Sequence, residues 1–87
     1  MMAELKRLRG KIDDVDGQIL RLLNERARIC EEIGSNKKTH GLPVKDDARE
    51  TKVYRRICKQ ATKLGLNPVQ VKAVYREIVN MCSSVQE

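Results

Sequence analysis

Arg26 stands where the surrounding pattern asks for a hydrophobe. Apolar residues fall at Leu5, Leu8, Ile12, Val15, Ile19 and Leu22, spaced alternately by three and four, and resume at Ile29 and Ile33. The next position of that count is 26, and an arginine occupies it. A guanidinium in a helical seam costs several kcal/mol unless something compensates it. Two readings fit the residue alone. It is a structural arginine, ion-paired with a glutamate or snorkelling to the rim, or it is an anion-binding arginine. Lys37 lies eleven residues on, close to three turns, and projects from nearly the same face. Arg9, flanked by Leu5 and Ile12, projects from the edge of the stripe, far down the same rod. One straight helix cannot bring Arg9 and Arg26 into one pocket. An antiparallel helix from a second chain could bring its own Arg9 there.

The same break in pattern recurs downstream. Glu50 precedes Val53 by three and Ile57 by seven, so it begins an apolar stripe; it also fits the glutamate of a capping box opened by Asp47. Arg49 sits four before Val53, on the stripe's edge. Gln86 follows Val79 by seven and Cys82 by four, which sets a neutral donor and acceptor at the end of a core face. Cations, a carboxylate and an amide on core-facing stripes describe a site inside a helical bundle, suited to a small polyanion.

Parts for covalent or metal chemistry are missing. The one histidine, His40, lies in a Thr-His-Gly stretch that reads as loop, and there is no glycine-rich phosphate loop. Cys30, Cys58 and Cys82 form no C-x-x-C pair. Their odd, dispersed count argues against a disulfide framework and against zinc. Each falls on an apolar stripe, so all three are expected to be small buried hydrophobes. We expect no metal and no cofactor.

The elements that must carry these residues are helices. Charged residues make up 34% of the 87, and Trp and Phe are absent, which suits amphipathic helices better than aromatic-rich strands. The chain is expected to be one all-α domain over residues 1–87. A long first helix spans about residues 4–37 and a loop spans 38–45, where Gly41 and Pro43 break the periodicity. A second helix runs from Asp46 or Asp47 to about residue 64, with Gly65 placed to end it. A third spans about 68–85, opened by Asn67 as N-cap and Pro68 at its first position. Gly10, Gly17 and Gly34 weaken the first helix without breaking its periodicity. That helix is roughly 50 Å long, whereas a compact globule of this chain length is only about 30 Å across. Its far half would expose an apolar stripe unless another chain covered it, so a twofold homodimer is expected. No apolar run reaches membrane-spanning length, and the N-terminus lacks a secretory h-region, so a cytoplasmic protein without a membrane partner is expected. The net charge of +6 suits an anionic partner without naming it.

The sequence resembles a known family, the all-helical AroQ-type (type II) chorismate mutases. The matching pieces are Leu8-Arg9-x-x-Ile12-Asp13-x-x-Asp16, Leu22-Leu23-x-Glu25-Arg26, Ile33-Gly34-x-x-Lys37, Pro43-Val44-x-Asp46-x-x-Arg49-Glu50, and Gln86. Each piece is weak; the ordered set with its spacing is specific. The resemblance implies an intertwined dimer of three-helix chains whose active sites draw on both chains. It also implies the Claisen rearrangement of chorismate to prephenate, toward phenylalanine and tyrosine. Under it, Arg26 and the partner subunit's Arg9 would hold the substrate's two carboxylates. Lys37 and Gln86 would hydrogen-bond the ether oxygen. Glu50 would take the ring hydroxyl, with Asp46 and Arg49 shaping that end. Where the family often has a serine that touches a substrate carboxylate, this chain has Cys82. Ser83 and Ser84 are turned about 100° and 200° away from it around the helix. Gln86 falls in the last helical turn and is expected to be poorly held without substrate.

The implied roles fit the chemistry. A pericyclic rearrangement needs no nucleophile, proton shuttle or cofactor; it needs a flexible dianion held in a reactive conformer and donors aimed at developing charge. Three rivals stand beside this reading, of which a purely structural coiled-coil dimeriser should not tolerate Arg26, Lys37 and Glu50 without function. An isochorismate pyruvate-lyase on the same fold is disfavoured by the Asp46, Arg49, Glu50 arrangement. A basic nucleic-acid-binding module is favoured only by net charge. Lys72 and Arg76, with Arg55, Arg56, Lys59 and Lys63, are expected to form ordinary solvated faces, so no nucleic-acid partner is expected.

Overall fold

The structure, a computed structural model, describes residues 2–87. They form three helices, α1 (Met2–Thr39), α2 (Asp47–Lys63) and α3 (Pro68–Gln86). Local sequence explains each boundary. The α1 helix runs two residues past the expected 4–37 at both ends and stops where Gly41 takes φ 66°. There the Leu42 N–H reaches back to the Lys37 carbonyl at 2.8 Å, and the Gly41 N–H to that of Lys38 at 3.2 Å. This is a Schellman closure, which a residue with a Cβ enters only with strain. Gly65, at φ 77°, closes α2 the same way: Leu66 N–H bonds the Ala61 carbonyl at 2.9 Å. Asn67 caps α3, its Oδ1 accepting from Val69 N at 2.9 Å and Gln70 N at 3.3 Å, with Pro68 following.

The start of α2 differs from expectation. Its N-cap is Asp46, whose Oδ1 accepts from Arg49 N at 3.0 Å. Asp47 is thus inside the helix, and the residue three beyond the cap is Arg49, so no capping box forms. Glu50 turns instead to Lys45.

The α3 helix packs against both α1 and α2. Val53 and Ile57 of α2 meet Val79 of α3 in a small core, with Tyr54, Val71 and Tyr75 around it. Only two residues of α1, Cys30 and Gly34, are buried. Most of the first half of the rod stands free: the molecule measures 58 × 24 × 15 Å, with a radius of gyration of 16.5 Å against about 12 Å for a compact chain of this length. Leu5, Ile12, Ile19 and Leu22 along it are all exposed, Leu22 at 63%.

The expectation of unpaired, buried cysteines is overturned for two of the three. Cys30 and Cys82 are joined in a disulfide, with Cα atoms 5.3 Å apart. The pair is 52 residues apart in sequence. Their adjacency arises only because α3 lies alongside the second half of α1. Cys58 is a free, half-buried thiol.

Candidate active site between the three helices

A cavity of about 370 Å³ opens where the upper part of α1, the start of α2 and the end of α3 converge. That volume lies within the range of small-molecule sites, about 300–1,000 Å³. The α1 helix contributes Arg26, Cys30 and Lys37, positions that share a face by helical spacing. The linker contributes Val44 and Asp46; α2 gives Arg49 and Glu50; α3 gives Cys82, Ser83 and Gln86. Seven of the residues singled out from sequence therefore border one space. Arg9 does not. It is exposed near the start of α1, beside Leu5 and Asp13, about 25 Å along the helix from Arg26.

Lys37 is the best-tied side chain of the site. Its Nζ donates to the Val44 carbonyl at 2.6 Å and to Gln86 Oε1 at 2.8 Å. An ammonium has three donors and no acceptor, so one N–H stays free. The same bond orients Gln86, because only the amide oxygen can face an ammonium. Gln86 Nε2 then lies 3.2 Å from Cys82 Sγ, to which it donates, and keeps a second N–H. Gln86 is half-buried and held from within the chain, against the expectation of a loose last turn. The physical reason is its seat: its backbone rests on Gly34 of α1, where no side chain intervenes.

Arg26 is half-buried, with Nη1 3.8 Å from Cys30 Sγ. Among the described residues the ion pairs are Arg7–Glu4, Lys45–Asp47 and Lys45–Glu50, so no carboxylate neutralises Arg26. Of the two readings left open for it, the ion-paired structural arginine has no partner among the described residues. Glu50 is met by Lys45 Nζ at 2.8 Å. The bond to Glu50 holds the Lys45 ammonium above its ordinary pKa of 10.5. Asp46 borders the cavity while capping α2, which anchors the Arg49 backbone.

Several contributors escaped the sequence reading. Ser83 faces the cavity and is half-buried, whereas Ser84 is exposed; the cavity is broad enough around the end of α3 to reach one residue past Cys82. Arg56, assigned to a solvated face, borders the cavity. Its spacing of seven from Arg49 puts both on one face, a signal that was present. Lys45 and the Val44 carbonyl had no periodic signal, since both lie in the linker. Cys82 borders the cavity as a disulfide sulfur, so it has no hydrogen to donate where a serine would.

Four cations, Arg26, Lys37, Arg49 and Arg56, thus face two carboxylates, one of them already paired with Lys45. The balance suits a small molecule with two negative charges.

Known proteins are similar to this chain in sequence and in fold. A bifunctional chorismate mutase/prephenate dehydratase of Aquifex aeolicus is 38% identical over 89 residues, which cover 99% of this chain and 25% of that protein. A chorismate mutase of Methanocaldococcus jannaschii is 35% identical over 63 residues, covering 69% of this chain and 64% of that one. The chain thus spans a quarter of the length of the bifunctional relative. A solved structure described as a conserved hypothetical protein from Pyrococcus furiosus superposes with a TM-score of 0.74 at 31% identity, covering 95% of both chains. The family model for chorismate mutase type II matches residues 8–87. With nearly its whole length matched, the chain belongs to the type II chorismate mutase family.

Proposed function

We propose that the chain catalyses the Claisen rearrangement of chorismate to prephenate, as a homodimer whose sites are shared between subunits. The observation that carries the reading is the Lys37–Gln86 pair: Lys37 Nζ donates to Gln86 Oε1 at 2.8 Å, and each residue keeps a free N–H on the cavity that Arg26, without an ion-pair partner among the described residues, also borders. In the reaction one C–O bond breaks as one C–C bond forms, and the ether oxygen gains negative charge on the way. Lys37 and Gln86 stabilise that charge with donors fixed before the reaction starts, which is where such donors are most effective. Arg26 holds one carboxylate, and Arg9 of the partner subunit the other; paired charge-assisted bonds suit both. Glu50 accepts from the ring hydroxyl, while Asp46 and Arg49 close that end. Restraint in the reactive conformer and stabilisation of the ether oxygen together supply the roughly 8 kcal/mol that a millionfold acceleration requires.

Support for the dimer is geometric. An uncovered apolar stripe on α1 asks for a partner, and a straight helix keeps its own Arg9 about 25 Å from Arg26. Two antiparallel α1 rods would answer both at once.

The test is the ultraviolet loss of chorismate on adding purified protein, run beside isochorismate. Conversion of chorismate to prephenate is expected. Pyruvate release from isochorismate, with chorismate untouched, would overturn the assignment.

A further inference from the structure

Gly34 is buried inside α1 toward its C-terminal end, still within the helix, where a helix ordinarily gains from any residue with a side chain. A Cβ placed on it would lie 2.8 Å from the Cα of Gln86 and 3.0 Å from both its Cβ and its Cγ. All three atoms belong to one residue, and one of them is backbone. The other glycines of α1 differ: a Cβ on Gly10 meets nothing within 4 Å, and one on Gly17 meets only the end of the Arg21 side chain at 3.9 Å. We infer that Gly34 is a positioning residue for the reaction, its missing side chain setting the distance at which α3 delivers Gln86 to Lys37. This rests on the mutase reading above.

The contact has a fixed frame. One turn before Gly34, Cys30 is bonded to Cys82, which lies one turn before Gln86, so the two helices are pinned in register. Three residues after Gly34 comes Lys37, whose Nζ holds Gln86 Oε1 at 2.8 Å. A methyl group on Gly34 cannot be relieved by a rotamer change, since the nearest atom is a Cα. With Cys82 tied down, relief comes from lifting the last turn of α3 until the contact reaches an ordinary 3.4 Å or more. That displacement is directed at the Lys37–Gln86 bond. Arg26, the carboxylate-binding arginine that this chain supplies, lies elsewhere on the cavity wall and stays in place. The loss should therefore fall on kcat more than on KM.

The test is a double-mutant cycle on the full chain, with circular dichroism to verify folding. Gly34→Ala is expected to lower kcat on the order of 10–100-fold, the cost of misplacing a catalytic group by about an ångström, with a much smaller change in KM. Gly17→Ala should keep wild-type kcat. In a Gln86→Ala background the added Gly34→Ala change should cost little, because its route of action is already gone. Wild-type kcat in Gly34→Ala would overturn the inference, as would an equal fractional loss with and without the Gln86 side chain. Should Gly34→Ala fail to fold, Gln86→Ala alone decides: unchanged kcat in that variant also overturns it. A wild-type chain that leaves chorismate untouched would instead sink the mutase reading itself.

Discussion

Cys30 and Cys82 are bonded to each other at the floor of the cavity, and Gln86 donates to the sulfur of Cys82 at 3.2 Å. One covalent link thus joins the helix that carries Arg26 and Lys37 to the helix that carries Gln86. In a chain with so small a core, such a link matters to stability as well as to the site.

Reduction should therefore destabilise the protein. Closing a loop with this separation of 52 residues restricts the unfolded chain by an amount worth about 4 kcal/mol in the chain-entropy account. A phosphine reductant is expected to lower the melting temperature, and Cys82→Ser to lower it similarly and become insensitive to reductant. Cys58→Ser should retain the full response. Mass spectrometry of unreduced, alkylated protein should show one alkylated cysteine. Three alkylated cysteines, or a melting temperature indifferent to reductant, would contradict the bond.

Arg26→Ala should abolish most turnover while leaving a folded protein. Among the described residues no carboxylate pairs with the guanidinium, so its removal leaves no buried counter-charge behind. A loss on the order of 10²–10³-fold in kcat/KM is expected, the scale of removing one preorganised charged contact. Arg9→Ala should be equally inactive. Refolded together, the two variants should regain part of the activity, because in the proposed shared-site dimer a heterodimer would hold one site with both arginines. Heterodimers that form and stay inactive would rule out the shared site.

The Lys45–Glu50 pair should show in the alkaline limb of stability. Glu50 raises the Lys45 pKa above 10.5 in the folded chain. A raised cationic pKa means that the folded state binds the proton more tightly, so the contribution is complete below the unfolded value and fades as pH climbs through the folded one. Both groups have access to water, so the effect should be small and shrink with salt. Denaturant midpoints of wild type and Lys45→Met should differ at about pH 8 and converge toward about pH 12. Parallel curves across that span would refute the linkage.

Periodicity carried the reading a long way, for a physical reason. A helix repeats every 3.6 residues, so the sequence by itself placed Arg26 and Lys37 on one face of α1 and Glu50 at the head of the stripe on α2. Local chemistry is equally direct: Asn67 and Pro68 open a helix, and Gly41 and Gly65 close theirs, because those backbone conformations involve only neighbouring residues. Relations between helices are different. They depend on how closely two rods approach and in what register, and neither is encoded in the repeat of either rod. Only the tertiary structure paired Cys30 with Cys82, brought the Val44 carbonyl to Lys37, and turned Ser83 and Arg56 to the cavity. Gly34 spans both levels. Within α1 it is merely a weak helix former, and its meaning appears only where Gln86 of another helix rests on it.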